Sequence, residues 1–206
     1  MENNATQVIL KAWRATCEAV IANPAAYVGR EKEALVFRTL RDQIGLATCD
    51  TGAESASLQV GHGSRFIDVV WRHGVEQVAI EGKYKIQTDG AIPDNRKAAF
   101  FDLFKLERCV DDGPYTGGLF LWLTDQPKYL EEARGDSAEF STHDGRVYRM
   151  GVPLRAARAR DSMPIPLTLN RSYSFKWERL DRGWQALVIR VDQATQPNPK
   201  MEPTRR

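Results

Sequence analysis

The stretch RFIDVVWRHGVEQVAIEGKYK, residues 65–85, decides the fold that the sequence predicts. Both of its ends are rich in β-branched and aromatic residues, and His73-Gly-Val-Glu76 between them has the composition of a turn. The stretch therefore predicts an antiparallel hairpin. Because side chains alternate along a strand, Asp68 falls on one face of the first strand, and Glu81 and Lys83 share one face of the second.

These three charged side chains lie on strands that otherwise look core-forming. Burying a carboxylate costs several kcal/mol unless a cation or a hydrogen-bond network compensates it. Mg²⁺ prefers oxygen ligands, and Asp68, Glu81 and the backbone carbonyl of Gly82 could supply them, with Mn²⁺ as a substitute. Lys83 would orient the nucleophile or stabilise the transition state. The alternative is a cross-strand salt-bridge ladder on an exposed sheet face, which needs no metal.

Three helices and a buried strand are predicted around this hairpin. Apolar residues recur at helical spacing over residues 5–21 and 31–44, and Asp94 can cap a third helix that continues through Val110. Gly118–Thr124 is an almost continuous apolar run, as expected of a strand that is covered on both faces and pairs in parallel after a helical crossover.

The C-terminal third is predicted to be rich in β-structure. Asp144-Gly145 indicates a tight hairpin turn, and residues 172–179 and 184–191 indicate a second hairpin around Asp181-Arg-Gly183. The predicted fold class is therefore α/β, with a central mixed sheet flanked by helices and a β-rich C-terminal extension.

Length and composition favour one soluble domain. The chain has 206 residues, of which 42% are hydrophobic, enough for one sizeable core. Its longest apolar runs are far shorter than the roughly 20 residues of a membrane-spanning helix, and no signal-peptide pattern opens the chain, so we expect a cytoplasmic protein with no membrane partner. Cys17, Cys49 and Cys109 are widely spaced, which indicates reduced structural thiols.

The charge is unevenly distributed along the chain. Residues 1–140 contain 16 Lys/Arg against 21 Asp/Glu, whereas residues 141–192 contain ten basic side chains against five acidic ones. A basic segment beside an acidic one suits a protein that holds a polyanion near bound cations, although a solvated charged surface gives the same count.

The motif of Asp68 followed by Glu81-Gly-Lys83 resembles the signature of the PD-(D/E)XK nuclease superfamily, which has the restriction-endonuclease-like fold. The resemblance covers about residues 29–125. It implies an acidic residue on the preceding helix, for which Glu33 is the first candidate and Glu31 the second; a carboxylate favoured by the helix dipole is the alternative reading of Glu33. No proline precedes Asp68, and Gly82 stands where the family commonly has an apolar residue.

A second resemblance indicates a bacterial origin. Bacterial proteins of similar length carry Glu-x-Lys-Tyr, a later Asp-x-x-[Arg/Lys]-Leu-Glu helix and a Leu-Thr-[Asn/Asp] strand end, which are similar to residues 81–84, 102–107 and 123–125 of this chain.

On the superfamily resemblance, residues 1–136 would form the N-terminal helix and the PD-(D/E)XK core, residues 137–192 a β-rich basic extension of the same domain, and residues 193–206 a disordered tail. Lys85, Gln87 and Lys105 are candidate substrate contacts. Lys105 also lies three residues from Asp102 on one helix face, which favours an ion pair between them.

The function that the resemblance implies is Mg²⁺-dependent hydrolysis of phosphodiester bonds, with double-stranded DNA as the partner and a homodimer whose two sites face two strands. One alternative is a non-catalytic nucleic-acid-binding subunit with the same fold. Another is an enzyme that stays latent until a partner or small ligand activates it, as in bacterial defence.

Overall fold

The computed structural model describes residues 4–48, 57–62, 65–156 and 166–192. The first half of the chain contains α1 (Asn4–Ala22), α2 (Lys32–Thr48), β1 (Ser57–His62), β2 (Arg65–His73), β3 (Glu76–Lys85), α3 (Ile92–Asp112) and β4 (Gly117–Thr124). The predicted helices, hairpin and buried strand are all present, with ends that differ by a few residues. None of the described helices is both long and apolar enough to cross a membrane.

The remainder of the described chain consists of short elements and one long strand. In order these are the 3-10 helices Pro127–Leu130 and Gly135–Phe140, β5 (Val147–Tyr148), β6 (Pro153–Leu154), β7 (Leu167–Thr168), β8 (Tyr173–Ser174), β9 (Trp177–Arg179), the 3-10 turn Asp181–Gly183 and β10 (Gln185–Asp192). This region is β-rich, as predicted. The tail predicted to be disordered, residues 193–206, lies outside the described residues.

Six strands form one mixed sheet in the order β1-β2-β3-β4-β10-β9. β3 and β4 are parallel, and α3 makes the crossover between them, which confirms the predicted parallel pairing. The neighbouring pairs β2–β3 and β4–β10 are antiparallel. Because β10 pairs with β4 along its whole length, the C-terminal region completes the central sheet.

Helices cover both faces of the sheet. α1 and α2 pack on one face, where Trp13 and Trp71 are buried. α3 packs on the other face together with the two-stranded sheets β5–β8 and β6–β7, over a core that includes Trp122. Cys17 and Cys109 are buried and reduced, as predicted; Cys49 lies outside the described residues.

Two local predictions are wrong. Asp94 does not cap α3, because the helix begins at Ile92 with Pro93 in its first turn, a position that suits the fixed φ of proline. The turn at Asp144-Gly145 forms, but no hairpin does, since β5 after it pairs with β8. The Asp144 side chain instead accepts a hydrogen bond from the backbone N–H of Trp177 at 2.9 Å. This contact holds the turn against a distant segment of the chain.

The second predicted hairpin is confirmed in part. β9 and β10 pair on either side of residues 181–183. The segment 172–179, however, is divided between two sheets, because β8 pairs with β5 and only β9 pairs with β10.

Gly82 explains how closely α2 approaches the sheet. A Cβ atom at this position would lie 2.2 Å from Phe37 Cζ and 2.5 Å from the backbone oxygen of Leu121. Neither distance is compatible with a carbon contact, so glycine is required where Phe37 of α2 packs on β3. The side chain of Phe37 fills the space that an apolar residue between Glu81 and Lys83 would occupy.

We therefore expect Gly82→Ala to lower the free energy of unfolding by about 1–3 kcal/mol, the range for overpacking a core. Urea unfolding followed by circular dichroism measures this change. Gly45→Ala is the matched control, since a Cβ atom there meets nothing within 4 Å. As a replacement inside a helix, it should leave stability unchanged or raise it by up to about 1 kcal/mol. Equal effects of the two substitutions would contradict the close approach of Phe37.

Candidate active site

The site lies where β2 separates from β3. The antiparallel pairing of these strands runs from His73–Glu76 to Val69–Ile80 and ends there, whereas β3 continues beside β4 as far as Lys85. From residue 81 onward, the edge of β3 on its β2 side thus has no strand partner among the described residues, and a gap opens in the sheet there. Backbone N–H groups on such an edge need new acceptors when they are buried.

Two carboxylates supply these acceptors. Asp68 Oδ2 accepts a hydrogen bond from the Gly82 N–H at 3.1 Å, and Glu33 Oε2 accepts one from the Tyr84 N–H at 3.1 Å. The N–H and C=O groups of one strand residue point towards the same neighbouring strand. The carbonyl of Gly82 therefore points into the gap as well, on the side of Asp68.

Glu81 and Lys83 share the face of β3 that α3 covers. Glu81 is 1% exposed, and its Oε2 lies 2.6 Å from Lys105 Nζ. Lys83 forms an ion pair with Asp102 Oδ2. The alternative of a salt-bridge ladder on an exposed face is therefore wrong, because these side chains are buried and their cationic and anionic partners come from α3.

The second carboxylate oxygen of Glu81 has no hydrogen-bond partner among the described residues. This Oε1 atom is buried, although a buried polar atom is normally paired. Burial raises the pKa of Glu81 well above its usual value, and the charges of Asp68 and Asp102 raise it further, while Lys105 opposes the change. The carboxyl group is thus short of positive charge in spite of its lysine partner.

Asp68 shows the same shortage of positive charge. Burial and the nearby Asp102 carboxylate raise its pKa, and together they outweigh the opposing effects of Lys83 and of the hydrogen bond from Gly82. Raised pKa values of adjacent carboxyl groups are common where a site binds a cation or carries out acid–base chemistry, although structural ion pairs also perturb pKa.

Lys83 is held as a cation. Burial alone would lower its pKa, but the charges of Asp102, Glu33 and Asp68 outweigh burial and raise it. Its ammonium group therefore donates hydrogen bonds at neutral pH and does not act as a base there.

Glu33 lies at the outer end of the gap. Besides the Tyr84 N–H, its Oε2 contacts Lys85 Nζ at 2.9 Å. Burial disfavours its charge, but Lys83 and Lys85 outweigh that effect and lower the pKa of Glu33. Of the two predicted acidic candidates, Glu33 is the one that reaches β3, whereas Glu31 is exposed at the start of α2.

The three candidate substrate contacts have different surroundings. Lys85 is paired with Glu33, as described. Gln87 is exposed, and its backbone N–H donates to Asp125 Oδ1 at 2.7 Å. The expected ion pair of Lys105 with Asp102 is present at 3.8 Å, but the contact of Lys105 with Glu81 is shorter.

Asp102 belongs to the site, although only an ion pair within the helix was predicted for it from the sequence. It is 7% exposed and contacts both lysines. A signal was available in the sequence, because Asp102 and Lys105 interrupt the wide apolar side of α3 next to Leu103 and Leu106. Charges on a buried helix face require partners in the adjacent layer.

The described residues contain no group of three or more His, Cys, Asp or Glu side chains arranged to hold a metal ion. A divalent cation would therefore depend on two carboxylates, those of Asp68 and Glu81, together with the Gly82 carbonyl and water. This donor set fits Mg²⁺, which typically takes one or two carboxylates and keeps several waters. Comparisons with protein-family models, curated protein sequences and solved structures found no match.

The raised pKa of Asp68 makes Asp68→Asn a stabilising substitution. Because the folded-state pKa lies above the unfolded value, ionisation of Asp68 lowers stability as pH rises through the folded pKa. We expect the asparagine variant to be more stable than the wild type at about pH 7.5, and the gain to shrink as pH falls towards the unfolded pKa.

Urea unfolding at several pH values tests this, with Asp192→Asn at the exposed end of β10 as the control, for which a change within about 0.5 kcal/mol is expected. A loss of stability in Asp68→Asn at about pH 7.5 would contradict the electrostatic account.

Proposed function

We propose that this protein is a metal-dependent nuclease of the PD-(D/E)XK type, with the restriction-endonuclease-like fold, that hydrolyses phosphodiester bonds in double-stranded DNA. The observation that carries the proposal is the buried, unpartnered Oε1 atom of Glu81, in a carboxyl group whose pKa is raised by burial and by the charge of Asp68. Two acids that need a cation, next to a lysine that stays protonated, suit cleavage of a phosphodiester.

Each residue has a distinct role in the proposed reaction. Asp68, Glu81 and the Gly82 carbonyl would hold Mg²⁺ or Mn²⁺, which when bound supplies a water of lowered pKa and polarises the phosphate. Lys83 donates hydrogen bonds to the attacking water or to a phosphate oxygen as negative charge develops. Asp102 orients the Lys83 ammonium group through their ion pair.

Basic side chains of residues 141–192 would contact the DNA backbone. Within the described part of this segment, Arg149, Arg155, Lys176, Arg179 and Arg190 are exposed. Contacts of this kind supply affinity and orientation without reading base sequence. A homodimer would present two such surfaces and two sites to the two strands, and the mass in solution tests this.

A second candidate function follows from the lysine contacts. Lys105 and Lys83 form ion pairs with Glu81 and Asp102 without any metal. That arrangement favours a non-catalytic nucleic-acid-binding subunit with the same fold, or an enzyme that a partner activates.

Cleavage assays test the nuclease directly. Plasmid, linear duplex, single-stranded DNA and RNA are incubated with Mg²⁺, Mn²⁺ or EDTA. We expect metal-dependent cutting of duplex DNA and a decrease of at least about 100-fold in Lys83→Ala, as for the loss of a donor that stabilises transition-state charge. Lys11→Ala, an exposed position on α1, should cut like the wild type. Full activity in Lys83→Ala would refute the assigned mechanism.

Metal binding is tested separately by thermal unfolding. A ligand that binds only the folded state stabilises it by about 2.7 kcal/mol at 100 times its dissociation constant. We expect Mn²⁺ to raise the midpoint for the wild type and to have no effect on Asp68→Asn. A non-catalytic binding subunit requires the same small response in both proteins, whereas a partner-activated enzyme keeps the response that depends on Asp68.

A further inference from the structure

The ammonium group of Lys105 lies beside the carboxylate that the proposed metal would use. Lys105 Nζ is 2.6 Å from Glu81 Oε2; the Glu81 side chain is buried and that of Lys105 is largely buried, with 2% and 13% of their surface exposed. Glu81 thus has one oxygen paired with a lysine and the other without a partner. Lys105 thus places a monovalent cation on one oxygen of the carboxylate whose other oxygen would bind the proposed divalent cation.

A divalent cation and Lys105 compete for Glu81. Two positive centres on one carboxylate repel each other strongly in a buried site, where the effective dielectric constant is lower than in water. Binding of a metal therefore favours departure of the ammonium group from Oε2. A buried lysine cannot leave its partner without another acceptor, because an unpaired charge is costly there.

Asp102 provides this second acceptor. Its Oδ1 atom is 3.8 Å from Lys105 Nζ, and the two residues are one helical turn apart on α3. Its other oxygen, Oδ2, is bound by Lys83. The ammonium group of Lys105 therefore already lies within ion-pair distance of Asp102.

We propose that Lys105 is the internal counter-ion of this site, neutralising Glu81 in the metal-free protein and transferring to Asp102 when a divalent cation binds. The inference rests on the proposed function, because it concerns the same metal site. Lys105 then sets the metal affinity, and Asp102 is a positioning residue for both lysines. The site then has two states: metal-free with Lys105 on Glu81, and metal-bound with Lys105 on Asp102.

Calorimetric titration of the full chain with Mn²⁺ tests the competition. Lys105→Gln removes the competing charge and keeps a donor for Glu81, so we expect it to bind Mn²⁺ about tenfold more tightly than the wild type, which corresponds to losing about 1.4 kcal/mol of competition. Lys128→Gln, an exposed lysine, is the matched control and should bind like the wild type. Equal or weaker binding by Lys105→Gln overturns the inference.

The role of Asp102 is tested by a double-mutant cycle. Asp102→Asn should weaken Mn²⁺ binding more when Lys105 is present than in the Lys105→Gln background. Only a protein that retains Lys105 needs Asp102 as a second acceptor for the ammonium group. Equal losses in the two backgrounds would overturn the transfer. A purely structural role of Asp102 predicts equal losses.

The wild-type protein gives a measurement that does not depend on how the variants fold. Lysines are ¹³C-methylated, and the Lys105 signal is assigned with Lys105→Arg. Saturating Mg²⁺ should shift that signal, and an unchanged signal would overturn the transfer even if the metal binds.

Failure of the inference can be distinguished from failure of the proposed function. Metal binding that depends on Asp68, combined with unchanged affinity in Lys105→Gln, removes the counter-ion role and leaves the metal site. No binding by the wild type or any variant overturns both.

Discussion

The separation of β2 from β3 beyond Val69–Ile80 is the constraint on which the site depends. A strand that loses its neighbour inside a folded domain leaves backbone donors that must be satisfied. Asp68 and Glu33 satisfy two of them on β3, and this requirement fixes both carboxylates at the gap. The same separation directs the Gly82 carbonyl into the gap. Asp68 therefore has a structural role, as acceptor for the β3 backbone, and also the proposed role of binding the metal together with that carbonyl.

The helix α3 adds charged side chains to those already present at this gap. It contributes Asp102 and Lys105 to a face that already carries Glu81 and Lys83, and all four side chains are largely buried. Buried charges are tolerated only with close partners, which accounts for the cross-layer ion pairs. Compensation is incomplete, as the raised pKa of Glu81 and its unpartnered oxygen indicate. This residual deficit of positive charge links the fold to the proposed cation chemistry.

Most of the architecture could be predicted from local patterns. The β-forming composition of β2 and β3, the apolar run of β4 and the helical spacing in α1 and α2 each depend on one segment, and the elements that they predict are all present. Predictions failed where distant segments compete. The turn at Asp144 docks on Trp177, so β5 pairs with β8 and forms no hairpin across the turn.

For this protein, the sequence by itself determined the order of helices and strands and the placement of Glu81 and Lys83 on one face of their strand, because side-chain alternation follows from backbone geometry. Only the tertiary structure decided which charges neutralise which. The partners of Glu81 and Lys83 lie on a helix some twenty residues further along the chain, and the fit of Gly82 depends on Phe37 in another layer. Such contacts are fixed by how the layers pack, since helical and strand periodicity specify which face a residue occupies but not what lies opposite it.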